Sequence, residues 1–246
     1  MTGYPYRLAG PIGTRTLGLI VLQVDETIEQ DFRRLFPPEV ALYVSRVPSG
    51  AELNPDTIAA MEAHLPAAAA LLPPAAAFDA VAYACTSGTT LIGAARVADL
   101  VGGACRTNAV TDPLTAAQAA MRALGATRVA LVSPYIAEVA GPIRRAFEAD
   151  GFAVPETLSF GEKIEARVAR IDPASIRDAA LQAGAVEGVE AVFLSCTNLR
   201  TLDIISGLEA ELGLPVIISN QALAWDMARR AGAAVSPSAP GRLFAL

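Results

Sequence analysis

Two stretches of this 246-residue chain carry residue types that could do chemistry, and they read as copies of one another. In the first, from Phe78 to Thr90, the apolar run Ala80-Val-Ala-Tyr-Ala84 leads into Cys85-Thr-Ser-Gly-Thr-Thr90. In the second, from Val189 to Thr201, Ala191-Val-Phe-Leu-Ser195 leads into Cys196-Thr-Asn-Leu-Arg-Thr201. Each pattern predicts a buried strand, a thiol, small polar residues and then a helix. A thiol so placed lies at the carboxyl end of a strand and beside a helix N-terminus. Partial positive charge and free N–H groups there favour a thiolate and can also hold an anionic substrate. The expectation is that Cys85 and Cys196 face each other across one site.

Two thiols on opposite faces of a substrate suit two reactions. One thiolate can remove a proton from a carbon acid while the other thiol returns one from the far side, inverting the centre. Alternatively, one thiolate adds to an activated double bond, allows rotation about the resulting single bond, and leaves. Both need donors around the substrate carboxylate, where charge develops in the transition state. The hydroxyls and backbone N–H groups of Thr86, Ser87, Thr197 and Asn198 are the candidates. Cys105, in Gly-Gly-Ala-Cys-Arg, reads as an ordinary core residue.

These thiols must be positioned by elements the rest of the chain supplies. Residues 1–16 read as an exposed lead-in. Leu17-Gly-Leu-Ile-Val-Leu22 is a continuous apolar run, as a parallel strand buried on both faces requires. Asp25 follows as a cap for a helix to about Leu35, Val40 to Ser45 is a second strand, and 54–72 an Ala-rich helix ended by Pro73-Pro74. The strand before Cys85, a helix over about 90–100 and a short segment from Ala104 to Thr107 complete the first half. The second half repeats the order: a strand at 128–133, a helix at 136–150, a strand at 152–158, and a helix from Pro173 to about Ala183. The strand before Cys196, a helix at 202–212, a strand at 215–219 and a helix capped by Asn220 follow. Cys196 lies 111 positions after Cys85, Arg128 lies 111 after Leu17, and Phe147 lies 111 after Phe36. A register kept over most of a half-chain predicts an α/β fold of two similar half-domains with parallel sheets, related by a pseudo-twofold. The expected division is 1–112 plus about 226–246 around Cys85, and 113–225 around Cys196. Ligands of such sheets bind outside the carboxyl ends of the strands, where both cysteines fall.

The composition excludes several classes. A formal net charge of −6 and the lack of a basic cluster argue against a nucleic-acid surface. The chain is 53% hydrophobic with a mean hydropathy of +0.41, yet no apolar run approaches the roughly 20 residues of a spanning helix. The N-terminal Met-Thr-Gly-Tyr-Pro-Tyr-Arg lacks the apolar core of a signal peptide, so a cytoplasmic location and no membrane partner are expected. Three cysteines make no disulfide framework, and one histidine, His64 on a predicted helix, with no Cys-x-x-Cys pair, makes no metal site. The single lysine, Lys163, lies in a charged segment and not where a pyridoxal phosphate Schiff base would need it.

At the residues around the cysteines the chain resembles the aspartate/glutamate racemase superfamily, in the branch of maleate cis-trans isomerases and arylmalonate decarboxylases. The resemblance covers nearly the whole chain. It is carried by Leu19-Ile-Val-Leu22, Tyr83-Ala-Cys-Thr-Ser87, Arg128-Val-Ala-Leu-Val-Ser-Pro-Tyr135, Leu194-Ser-Cys-Thr197 and Gly213-Leu-Pro-Val216. It implies two flavodoxin-like domains, no cofactor, a homo-oligomer and a site at the domain interface for a small carboxylate. Cys85 would be the nucleophile of an isomerase or one base of a racemase, and Cys196 the opposing acid/base. Tyr135 with Thr86, Ser87 and Thr197 would bind a carboxylate. The decarboxylases keep only the second cysteine and have glycine at the first, so Cys85 speaks against decarboxylation. Maleate isomerases carry asparagine where this chain has Asp25, in Asp25-Glu-Thr-Ile-Glu29. A carboxylate there repels a dianion and suits a substrate with an amino group. The same stretch resembles branch members associated with ectoine breakdown, which implies diamino-acid derivatives. Residues 160–171 align with a loop that reaches the site in relatives; here they read as a solvated charged segment, with Glu162 and Lys163 the residues that could reach in. These implications rank maleate-type isomerisation first and two-base racemisation second. A non-catalytic clamp of two α/β lobes is the alternative from another class.

Overall fold

The structure is a computed structural model that describes residues 3–52 and 54–246. Residues 3–14 run exposed and without regular structure; the rest of the expected lead-in, residues 1 and 2, lies outside the described residues. Strand β1 (Arg15–Leu22) buries Leu17, Leu19, Ile20 and Val21 completely, as its unbroken apolar run requires. Helix α1 (Ile28–Leu35) turns Ile28, Phe32 and Leu35 inward and Arg33 and Arg34 outward, leading to β2 (Val40–Val47). Helix α2 (Pro55–Ala70) starts on a reciprocal capping box between Asn54 and Thr57. Strand β3 (Ala80–Ala84) is wholly buried and ends at Cys85. Helix α3 (Thr86–Ile92) begins at once, and α4 (Ala94–Gly102) follows a break at Gly93, whose φ of 96° favours glycine. The single helix expected over 90–100 is therefore two, the first starting directly after the thiol. After a turn at Ala104, Thr107 forms a single parallel bridge to Phe78, and the strand of this region, β4 (Val110–Thr111), comes later.

Helix α5 (Pro113–Ala123), capped by Asp112, opens the second half and had no counterpart in the sequence reading. Strand β5 (Val129–Ser133) and helix α6 (Ala137–Ala149) fall where expected. The next strand, β6, is only Thr157–Ser159, because Pro155 has no N–H to give to a ladder. A four-residue helix, α7 (Glu165–Val168), stands in the segment read as solvated. Helix α8 (Pro173–Gly184), strand β7 (Ala191–Leu194), helix α9 (Ile205–Leu212), strand β8 (Val216–Ile218) and helix α10 (Ser219–Ala231) complete the chain. Asn220 is not the cap of α10 but lies inside its first turn, where its side chain reaches Asp31 and the Thr197 carbonyl.

The described strands form two four-stranded sheets, ordered β2-β1-β3-β4 and β6-β5-β7-β8, with every pairing parallel. One flavodoxin-like topology thus occurs twice, with β3 and β7 in equivalent places. Helix α10 leaves the second sheet and lies against β1, β3 and α1 of the first, beside α5. Among the described residues no helix is long and apolar enough to cross a membrane. Gly18 marks how tightly β1 is covered, since a Cβ there would sit 2.9 Å from Val81 Cγ2 and 3.0 Å from Leu72 Cδ1. Gly18→Val should therefore destabilise the fold by about 1–3 kcal/mol, read as a lower urea midpoint at unchanged slope.

Candidate active site

The site is built where β3 and β7 end. Cys85 is the N-cap of α3, and its Sγ accepts the Gly88 N–H at 3.2 Å, the role a serine or aspartate oxygen usually plays. The Ser87 hydroxyl lies 3.6 Å from the same sulfur. Glycine at 88 is required by this approach, because a Cβ would stand 2.9 Å from the Cys85 sulfur and strike the Tyr83 hydroxyl. Cys196 has a φ of 149°, a conformation that costs about 1–3 kcal/mol for a non-glycine residue. Bonds at its own N–H and at the two carbonyls that follow it hold the turn. The Cys196 N–H donates to Ser219 Oγ at 3.0 Å, Asn220 Nδ2 donates to Thr197 O at 2.9 Å, and Thr27 Oγ1 donates to Asn198 O at 3.0 Å. The Asn198 N–H points at the Cys196 sulfur, 3.4 Å away.

Each cysteine turn is tied to the other half. Thr86 Oγ1 meets Ser219 Oγ at 3.0 Å, so one hydroxyl joins the turn after Cys85 to the backbone of Cys196. In the other direction Thr197 Oγ1 donates to Asp25 Oδ2 at 2.8 Å and lies 3.3 Å from Ala84 O. Asp25 both caps and bridges: Oδ1 accepts the N–H groups of Thr27 and Ile28 while Oδ2 holds Thr197. The Asn198 side chain is fully engaged, accepting from the Glu26 N–H at 2.9 Å and donating to Glu165 Oε1 at 3.0 Å. The expected donors Thr86, Ser87, Thr197 and Asn198 thus gather with Tyr135 and Asp25 at one seam, each buried.

The segment 160–171, expected to be solvated, does turn one charged side chain inward, and it is neither Glu162 nor Lys163. Lys163 is exposed, and Glu162 accepts the Lys163 and Ile164 N–H groups beside Arg167. It is Glu165 that turns inward, 2% exposed, together with Val168 and Ala169 on the inner side of α7. Its N–H donates to Ala51 O at 3.0 Å, and Ile164 forms a bridge to Glu52, so the segment after β2 closes over the cavity. That narrow cavity is lined by Cys85, Ser87, Glu165, Leu22, Ile58 and Met61 among others, with no lysine or arginine among its described lining residues.

Electrostatics follow from burial in this closed, low-dielectric seam. Burial pushes the Cys85 thiol up to about 11, against the pull of Ser87 and the Gly88 N–H. Cys196 is raised well above its usual range by burial and then by the Glu165 carboxyl, with Tyr135 and Asn198 opposing. Asp25 is raised by burial despite its N–H donors, and Glu165 is raised to about 7 by burial, with Asn198 opposing. The folded protein therefore binds the Glu165 proton more tightly than the unfolded chain does. Stability falls as pH rises from the ordinary carboxyl range through about 7, because an ionised Glu165 must then be kept in the interior. Glu165→Gln should remove that loss, gaining about 1–3 kcal/mol on the wild type between pH 5 and pH 8; thermal melts at the two pH values check this.

Comparison with known proteins agrees with this geometry. A model of the arylmalonate decarboxylase family matches residues 17–244. An arylmalonate decarboxylase of Bordetella bronchiseptica is 39% identical over 137 residues, which span 54% of this chain and only 57% of that protein. A maleate isomerase of Nocardia farcinica is 26% identical over 244 residues, covering 95% of this chain and 96% of that one. The solved maleate cis-trans isomerase of Nocardia farcinica bound to TRIS has the same fold, with a TM-score of 0.82 at 26% identity over 94% of this chain and 97% of that chain. With the family model running from the first strand almost to the C-terminus, the chain belongs to the arylmalonate decarboxylase family, in the branch of the aspartate/glutamate racemase superfamily that includes the maleate isomerases.

Proposed function

We propose that this protein is a cofactor-independent, cysteine-dependent isomerase acting on a small carboxylic acid held between its halves, 1–112 with about 226–246 and 113–225. The observation that carries the proposal is the matched support of the two thiols. Cys85 has the Gly88 N–H and the Ser87 hydroxyl, while Cys196 has the Asn198 N–H, with buried Tyr135 drawing its pKa down. Each set stabilises a thiolate when the proton leaves, so either sulfur can serve as base or acid.

In a maleate-type cis-trans isomerisation, the reaction named for the Nocardia relative, the Cys85 thiolate forms a bond to one alkene carbon. The π pair moves toward the carboxylate on the neighbouring carbon, and the Cys196 thiol delivers a proton to that carbon. The C–C single bond rotates, Cys196 takes a proton back, and the Cys85–carbon bond breaks to give the trans alkene. The substrate carboxylate is held by the backbone N–H groups of residues 86, 87 and 197 and by the Ser87 and Tyr135 hydroxyls, which stabilise the developing charge. A second reading, two-base inversion of an amino acid or diamino-acid derivative, is favoured by the buried carboxyls of Asp25 and Glu165 at the same seam.

Purified protein incubated with maleate and, separately, with amino acids in deuterated buffer should form fumarate or exchange the Cα proton. Cys85→Ser and Cys196→Ser should each lower that rate by about 10²–10⁴-fold with an unchanged circular dichroism spectrum; full biological activity in a double variant that turns over neither kind of substrate would replace the isomerase with a binding protein. Thr197→Val, which frees Asp25 Oδ2 and unties the halves, should cost stability of about 1–3 kcal/mol, measured by urea denaturation.

A further inference from the structure

We propose that Glu165 is the specificity-determining residue of this site, and that the carboxylic acid it selects carries an ammonium group at or next to the reacting carbon in place of a second carboxylate. This rests on the two-thiol isomerase reading and narrows its substrate class. Glu165 is 2% exposed and borders the cavity that contains the Cys85 sulfur and Ser87. One carboxyl oxygen, Oε1, accepts from Asn198 Nδ2, and the same side chain is oriented by the Glu26 N–H, which donates to Asn198 Oδ1. The other, Oε2, is buried and has no hydrogen-bond partner among the described residues. A buried carboxyl oxygen without a donor is a costly arrangement that a ligand donor relieves.

The surroundings say which donor. Both thiols and the Tyr135 hydroxyl feel the Glu165 charge, and Asp25 adds to the negative potential that Glu165 feels. A dicarboxylate here would set its second anion against the buried Glu165 carboxyl, with no lysine or arginine among the described lining residues to offset it. An ammonium reverses the balance. It pairs with Glu165, and as a cation beside Cys85 and Cys196 it favours the thiolate that either reaction needs. Inversion then balances without a further reactant. One thiolate takes the Cα proton, the C–H pair enters the carboxylate held at residues 86–87, the other thiol donates its proton to the opposite face, and the ammonium keeps all its protons.

The test compares matched pairs of acids with the full-length protein: serine against 3-hydroxypropionate, alanine against propionate, and 2,4-diaminobutyrate against butyrate, with maleate as the dianionic alkene. Cα exchange in deuterated buffer and fumarate formation report turnover, and protection of the thiols from iodoacetamide reports binding. In the wild type, kcat/KM for at least one amino acid should exceed that for maleate by about a hundredfold or more, and amino acids should protect better than their deaminated partners. Glu165→Gln and Glu165→Asn should reverse both preferences, the loss falling mainly in KM. The proposal is overturned if the wild type prefers maleate, if amino acids protect no better than their partners, or if folded Glu165 variants keep the wild-type ratio. Cys85→Ser and Cys196→Ser run in parallel separate the two claims, since unchanged turnover in them would overturn the two-thiol reading itself.

Discussion

Everything at this site depends on one shared hydroxyl. Ser219 Oγ stands between the Thr86 hydroxyl and the Cys196 N–H, so the turns that carry the two thiols cannot move independently. Around it, Thr197 reaches back to Asp25 and Ala84, and Asn220 to Asp31. These bonds are buried, where a hydrogen bond is strong and a missing partner costly. The strained backbone of Cys196 persists because its own N–H and the two carbonyls that follow it are held this way.

The same burial that makes the seam rigid shapes its chemistry. With the segment from Ser49 to Glu52 closed over the cavity, both thiols lie in a dry environment that favours their protonated forms. Their activation falls to nearby N–H and hydroxyl dipoles and to whatever charge a substrate brings. Ala51 and Glu52 bond to the start of α7, so the covering segment and the inward carboxyl of Glu165 are parts of one closure.

The repeat was legible because parallel strands buried on both faces write continuous apolar runs, and because the spacing of 111 survives in both halves. Helix α5 follows β4 as α10 follows β8, and Asp112-Pro113 is a strong start signal for it, but its start is displaced from that of α10, which begins directly after its strand. The placing of Asn220 failed on a tertiary contact. Its type suits a cap, but a buried partner, Asp31, lies 189 residues away in sequence and draws the side chain across the seam.

By itself the sequence determined that two thiols end equivalent strands of two parallel sheets, because strand pattern, turn residues and repeat are all local properties. It could not choose among Glu162, Lys163 and Glu165, three charged residues within four positions. Only the tertiary structure decided that, by burying Val168 and Ala169 and pairing the Glu165 N–H with Ala51, which turns one carboxyl into the site and leaves the others in water. Contacts between distant segments set which way a short helix faces, and no local pattern encodes them.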